Sequence, residues 1–202
     1  MKTIEYRTQL PNEFPDGEWK NEYDKKQWLD KRTGLPCLVV RSPVGALCGY
    51  VGVTKSHPFF EKNYDDVPNL PVHWGLTFSD KCCGIPDNLE EVSDYLRPKV
   101  EEHGPYAFMV CHKVEDGEDE NVWWFGFDCA HCDDVMPSMV AMMQKSGREF
   151  GITRYGTYKN VRFVESSVQT LALSLKKWEI ALKHQSKRLL YRKMRFPYQQ
   201  TA

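Results

Sequence analysis

The sequence contains no apolar run near the roughly 18–20 residues that a membrane-spanning helix needs. Its opening stretch, MKTIEYRTQLPNEFPDGEW, holds no apolar core of signal-peptide length, so the expectation is a cytosolic (cytoplasmic) protein with no membrane partner. A Walker-type phosphate loop, a Rossmann glycine fingerprint and a helix-turn-helix pattern are also missing, which sets aside the classes that depend on them. No internal repeat or low-complexity tract is visible. The formal net charge is only -1, so global charge names no partner.

What is present suffices for one core. With 41% hydrophobic and 13% aromatic residues in 202, the chain has the material for a single folded domain. Charge is unevenly placed: Glu115, Asp116, Glu118, Asp119 and Glu120 cluster in one segment. Lys176, Lys177, Lys183, Lys187, Arg188, Arg192, Lys193 and Arg195 crowd the C-terminal stretch against Glu179. A solvated helix face is the ordinary reading of that basic stretch, and nucleic acid or an acidic protein is the sharper one. The seven cysteines, an odd number, read as mostly free thiols in a reducing compartment, some of them in the core.

Along the chain, residues 1–33 read as an irregular N-terminal arm docked by Trp19 and Trp28, residues 34–185 as an α+β core, and residues 186–202 as a basic C-terminal tail. PCLVVRSPVGALCGYVGV predicts a β-hairpin turning at Ser42-Pro43-Val44-Gly45. VHWGLTFSD predicts a strand, and YAFMVCHKV with VWWFGFDCA a second hairpin around an acidic turn. PDNLEEVSDYLRPKVEEHG predicts a helix opened by Asp87 or Asn88 and divided at Pro98, and MPSMVAMMQKSG a short one with Pro137 at its start and Gly147 past its end. Val164, Val168, Leu171, Leu175, Trp178 and Leu182 recur at spacings of four and three, which predicts a long amphipathic helix. The sum is a mainly antiparallel sheet with helices packed on one face.

Alternation splits each strand into two faces. Leu38, Val40, Leu47, Gly49, Val51 and Val53 are core candidates, with Arg41 almost opposite Ala46 and pointing the other way. If the strands share one sheet, its second face gathers Arg41, Tyr50, His73, Thr77, Ser79, Trp124 and Asp128 with small residues that leave room above the backbone. That describes a ligand floor; an ordinary solvated sheet face describes it about as well. His57, in a long loop, would close over the floor or simply be exposed.

FDCAHCDD admits several chemistries. Cys129 and Cys132 have the two-residue gap of a zinc knuckle, but Cys129 falls on the aromatic face and suits a packed core thiol better. A divalent metal site from His73, Asp128, His131 and Asp134 is better founded, since imidazole and carboxylate suit zinc, manganese or magnesium; its competitor is a helix start capped by Asp133 or Asp134. Cysteine nucleophilic catalysis is poorly supported, because Cys111 and His112 are neighbours on opposite strand faces.

The segments GLPCLVVRSPVGALCGYVGV, VHWGLTFS and VWWFGFDCAH resemble a family of uncharacterised bacteriophage and prophage proteins. The family pattern carries glycine at Trp74 and Ala-Gly-Asp at Cys132-Asp133-Asp134, so Cys132 departs from it, whereas His73, Asp128, His131 and Asp134 match. The resemblance implies action in an infected bacterium, including sequestration or modification of nucleotide signals used in defence. The reading that follows is a protein that binds a small anionic ligand such as a nucleotide, with Arg41 on the phosphate, Tyr50 or Trp124 stacking the base, His57 and Thr77 beside it, and His73, Asp128 and His131 orienting the ligand or, if it is hydrolysed, serving as acid–base or metal-binding groups. The alternative is a non-catalytic inhibitor of a host protein.

Overall fold

The computed structural model describes residues 1–8, 14–84, 91–147 and 156–195. Six strands form one antiparallel sheet: β1 (Ile4–Tyr6), β2 (Lys25–Leu29), β3 (Pro36–Arg41), β4 (Leu47–Val53), β5 (Phe78–Asp80) and β6 (Trp123–Asp128). Their order is β1-β2-β3-β4-β6-β5, so the long central strands lie between short edges. Among the described residues three α-helices accompany them: α1 (Arg97–His103), α2 (Pro137–Ser146) and α3 (Val161–Arg195). The fold is a single α+β domain, as the sequence pattern predicts.

The apolar seam of α3 lies on β3 and β4. Val164, Val168, Leu171 and Leu175 are fully buried against Cys37, Val39, Leu47, Val51, Phe125 and Phe127. Burying each of those four helix side chains is worth about 1.5–3 kcal/mol, which anchors the helix without help from propensity. Trp178, expected in the seam, sits at its edge and is 37% exposed. Helix α2 starts at Pro137 and ends on the left-handed Gly147, as expected.

Hairpin parity differs from the sequence reading. Ser42 N donates to the Ala46 carbonyl at 2.8 Å, which leaves a three-residue turn, Pro43–Gly45, with Gly45 at φ 88. Arg41 therefore faces Leu47 rather than Ala46, on the side of α3. Leu38 and Val40 turn to the opposite face, where they join Cys48, Tyr50 and Trp124. A shift of one residue moves every side chain across the sheet.

Four other expectations are corrected. The supposed irregular arm supplies β1 and β2; KKQWL hides its strand character because the inward residues Lys25 and Gln27 are polar and wholly buried. YAFMVCHKV is not a strand: it begins within the tight turn Pro105–Ala107 and makes one bridge, Cys83 to Val110, and β6 pairs with β4 and β5 instead. Only Phe78–Asp80 of VHWGLTFSD is strand, the part before it being a turn. The described helix of the next segment begins at Arg97 with Pro98 in its first turn, and the Asp87 or Asn88 opening lies outside the described residues. At the C-terminus the backbone of 186–195 continues α3, and 196–202 lie outside the described residues.

Two cysteines, Cys82 and Cys111, are joined in a disulfide, and Cys37, Cys48, Cys83, Cys129 and Cys132 are free. The disulfide ties together two segments beside the sheet face opposite α3. The segment from Tyr106 to Lys113 folds over that face: Lys25 Nζ donates to the carbonyls of Tyr106, Met109 and Cys111, and the Gln27 amide bonds to Lys113 N.

Candidate functional site

The second sheet face is not a ligand floor. A Cβ on Gly126 would lie 2.2 Å from Tyr50 Cδ1, and one on Gly52 would lie 2.3 Å from Val122 Cγ1, so the space left by the small residues is filled by the chain's own side chains. Tyr50 is buried edge-on against Phe78, and Trp124 has no exposure at all. Neither ring can stack on a base.

Arg41 is equally committed. Its Nε lies 2.9 Å from Asp24 Oδ1 and its Nη2 2.9 Å from Glu22 Oε2, while Nη1 donates to Tyr158 Oη and the Gly45 carbonyl at 2.7 and 3.0 Å. At 4% exposure it is a structural cation with no donor to spare for a phosphate. His57, expected to be exposed or to close over a ligand, is buried under α3. Its Nε2 lies 3.1 Å from the Leu175 carbonyl, and its Nδ1 accepts from Phe59 N at 3.0 Å. Those partners fix the tautomer, and burial pushes the imidazole pKa down, so the ring is neutral.

The remaining expected residues do converge, at the end of β6 and the turn before β5. Asp128 ends β6, where its Oδ1 accepts from Ala130 N at 3.0 Å and its Oδ2 from the Thr77 hydroxyl at 2.8 Å. The next turn closes on itself: Asp134 N donates to the His131 carbonyl at 2.9 Å, and His131 N donates to Asp134 Oδ2 at 3.0 Å. Asp134 also forms a backbone bridge to Thr157, in which Val135 N donates to the Thr157 carbonyl and Thr157 N to the Asp133 carbonyl. Helix capping does not explain these carboxylates, because the N-cap of α2 is Met136 and no side chain caps it.

Asp134 is fully buried and is the hub of the site. His73 Nε2 lies 3.0 and 2.9 Å from its two oxygens, His131 Nδ1 3.5 Å from Oδ2, and Lys159 Nζ 3.7 Å from Oδ1. His131 Nδ1 is also 3.7 Å from Asp128 Oδ1, which places Asp128 on the rim. A buried carboxylate needs such compensation. Phe163, from the first turn of α3, meets the His73 ring edge-on at 5.3 Å and the Lys159 ammonium at 5.5 Å.

Among the described residues, His73, His131 and Asp134 form a group whose ligating atoms all lie within 4.8 Å of one another. Donors bound to one tetrahedral ion at about 2.0–2.2 Å sit roughly 3.3–3.6 Å apart, a spacing that His131 Nδ1 and Asp134 Oδ2 already have at 3.5 Å, whereas His73 Nε2, at 2.9 Å, is hydrogen-bonded directly to the carboxylate and would have to open by about half an ångström to share a cation. His131 Nδ1 is buried and has no hydrogen-bond partner, which a ligand would supply. The zinc-knuckle pattern does not assemble. Cys129 is packed in the core, where burial drives its thiol pKa well up, while Cys82 and Cys111 are bonded to each other.

Trp74, Lys159 and Phe163 belong to the site and were not singled out as its members from the sequence. Val72 to Gly75 is a turn closed by Gly75 N donating to the Val72 carbonyl, and Trp74 occupies its third position at φ 55. Glycine is the ordinary residue there, and a bulky side chain is a true outlier. The indole is 59% exposed and stacks on the His131 ring, with centroids 5.3 Å apart and planes 11° from parallel. A larger groove of about 600 Å³, lined by Trp28, Arg32, Arg162 and Glu165 among others, lies between β2 and α3 and holds no comparable cluster of ligating side chains.

Comparison with family models, curated proteins and solved structures gave no match. No helix among the described residues is long and apolar enough to cross a membrane.

Proposed function

We propose that the protein binds a divalent cation through His73, His131 and Asp134 and uses that centre to hold, and where water is admitted to hydrolyse, a small anionic ligand. The observation that carries this reading is the convergence of two imidazoles on one fully buried carboxylate, His73 from 61 residues away, with the His131 Nδ1 buried, near both Asp134 and Asp128, and hydrogen-bonded to neither. Two histidines and one carboxylate are a donor set for zinc, manganese or iron(II) that leaves coordination positions open. A cation there would polarise a ligand oxygen and lower the pKa of bound water.

The chain's own residues supply the rest. Lys159 Nζ, hydrogen-bonded to the Thr157 hydroxyl, offers a positive charge beside Asp134 for the anionic group. Asp128, held by Thr77 and by Ala130 N, stands at the rim, where it can accept a proton from water or orient His131. The setting of an infected bacterium, and with it a role against host defence, is supported by the resemblance of the sequence segments.

The test is metal analysis and titration of the purified chain with zinc and manganese. One equivalent is expected for wild type, and at least about a hundredfold weaker binding for His73→Ala and Asp134→Asn, since loss of even an outer-shell partner costs ten- to hundredfold. Absence of stoichiometric binding, or equal binding by the folded variants, would sink the reading.

A further inference from the structure

A backbone position shaped for glycine carries the largest side chain at the very edge of the proposed centre. Trp74 holds φ 55, is 59% exposed, and gives one face of its indole to His131. Packing does not require it there: a strained turn places an apolar ring in solvent beside a polar cluster, and strain of this kind collects at functional sites. Beside the ring opens a hollow of about 280 Å³, lined by Tyr64, Asp65, Asn69, Trp74 and Gly75 among others. That size accommodates one planar ring system rather than a whole drug-sized ligand.

The chemistry of the hollow points to the kind of ring. Asp65 and Asn69 are exposed, and no ion pair or hydrogen bond engages either side chain there apart from whatever solvent provides. A carboxylate and an amide together accept from, and donate to, the edge of a heterocycle bearing N–H groups. Asp65 repels a phosphate, whereas Lys159 and a cation on His73, His131 and Asp134 attract one. The two ends of the site thus differ in sign, and a ligand with an aromatic N–H-bearing ring at one end and an anion at the other matches both.

We propose that Trp74 and the adjoining hollow form a base-stacking subsite, so that the ligand class is a nucleotide, its base on the indole and its phosphate toward Lys159 and the cation centre. This rests on the reading of the centre given above. Stacking on aromatic side chains is worth enough to change affinity about tenfold to a hundredfold per base.

The experiment compares binding of GMP, ribose 5-phosphate and inorganic phosphate to the zinc-loaded full chain and to Trp74→Gly, by calorimetry, with zinc content measured in parallel. Glycine suits the turn, so the variant is expected to fold, and its measured zinc content shows what the loss of the indole packed on His131 does to the centre. Wild type should prefer GMP over ribose 5-phosphate by about tenfold or more. Trp74→Gly should lose that preference, and its affinities for ribose 5-phosphate and inorganic phosphate, compared at equal zinc content, show whether the loss lies in the stacking of the base. Equal affinities for the two ligands in wild type, or a preference that survives in the variant, would overturn the proposal and leave the cation centre standing. Should wild type bind no zinc, the centre falls, and the same titrations without metal still decide the stacking subsite, because the free indole face does not depend on the ion.

Discussion

Arg41 Nε lies 2.9 Å from Asp24 Oδ1 in the interior of the protein, where the carboxylate also accepts from Thr8 N and the Thr8 hydroxyl. This pair, with Glu22 and Tyr158, joins the β2 approach, the β3 end and the start of α3. Arg41→Met would leave two carboxylates buried without their cation and is expected to cost about 3–5 kcal/mol. Urea denaturation measures that loss. Zinc binding by the folded fraction should be unchanged, whereas a phosphate-binding role for Arg41 would spare stability and weaken ligand binding.

Trp74→Gly is expected to stabilise the protein by about 1 kcal/mol, because glycine adopts φ 55 without steric cost. In a chain of this size that raises Tm by about 2–4 °C. Trp74→Ala keeps a Cβ and should bring no such gain. Thermal unfolding of the two variants side by side separates backbone strain from loss of the indole.

The buried Lys25 makes stability depend on pH. Burial pushes its ammonium down to about 7, from an ordinary value near 10.4 in the unfolded chain. Below pH 7 both states are charged and the full cost of burying the ammonium is carried. Between about 7 and 10 the unfolded chain binds the extra proton, so stability rises with pH across that window. Lys25→Met removes this rise. Chemical denaturation at pH 7, 8 and 9 should show a flatter profile for the variant, and parallel profiles would contradict the assignment.

The Cys82–Cys111 disulfide closes a loop with a sequence separation of 29. Loop-closure entropy predicts that Cys82→Ser lowers stability by about 3–4 kcal/mol under non-reducing conditions. A reductant should bring wild type to the same level. Cys132→Ser, at an exposed free thiol, should do neither.

The sequence itself determined the local elements whose apolar period was unbroken. The seam from Val164 to Leu175, the Pro137–Gly147 helix and the central hairpin follow from side-chain spacing and from where proline and glycine can sit. It also singled out His73, Asp128, His131 and Asp134, because imidazole and carboxylate together suit metal ligation and acid–base work, with helix capping left open as the competing role. Tertiary structure decided everything that depends on parity and on distant partners. One residue in the Pro43–Gly45 turn sent Arg41 to the side of α3. Lys25 and Gln27 became interior strand residues only because carbonyls and amides from 106–113 satisfy them. Trp74 and Lys159 joined the site through a turn and a bridge that carry no periodic signal, since the energy that fixes them comes from contacts dozens of residues away.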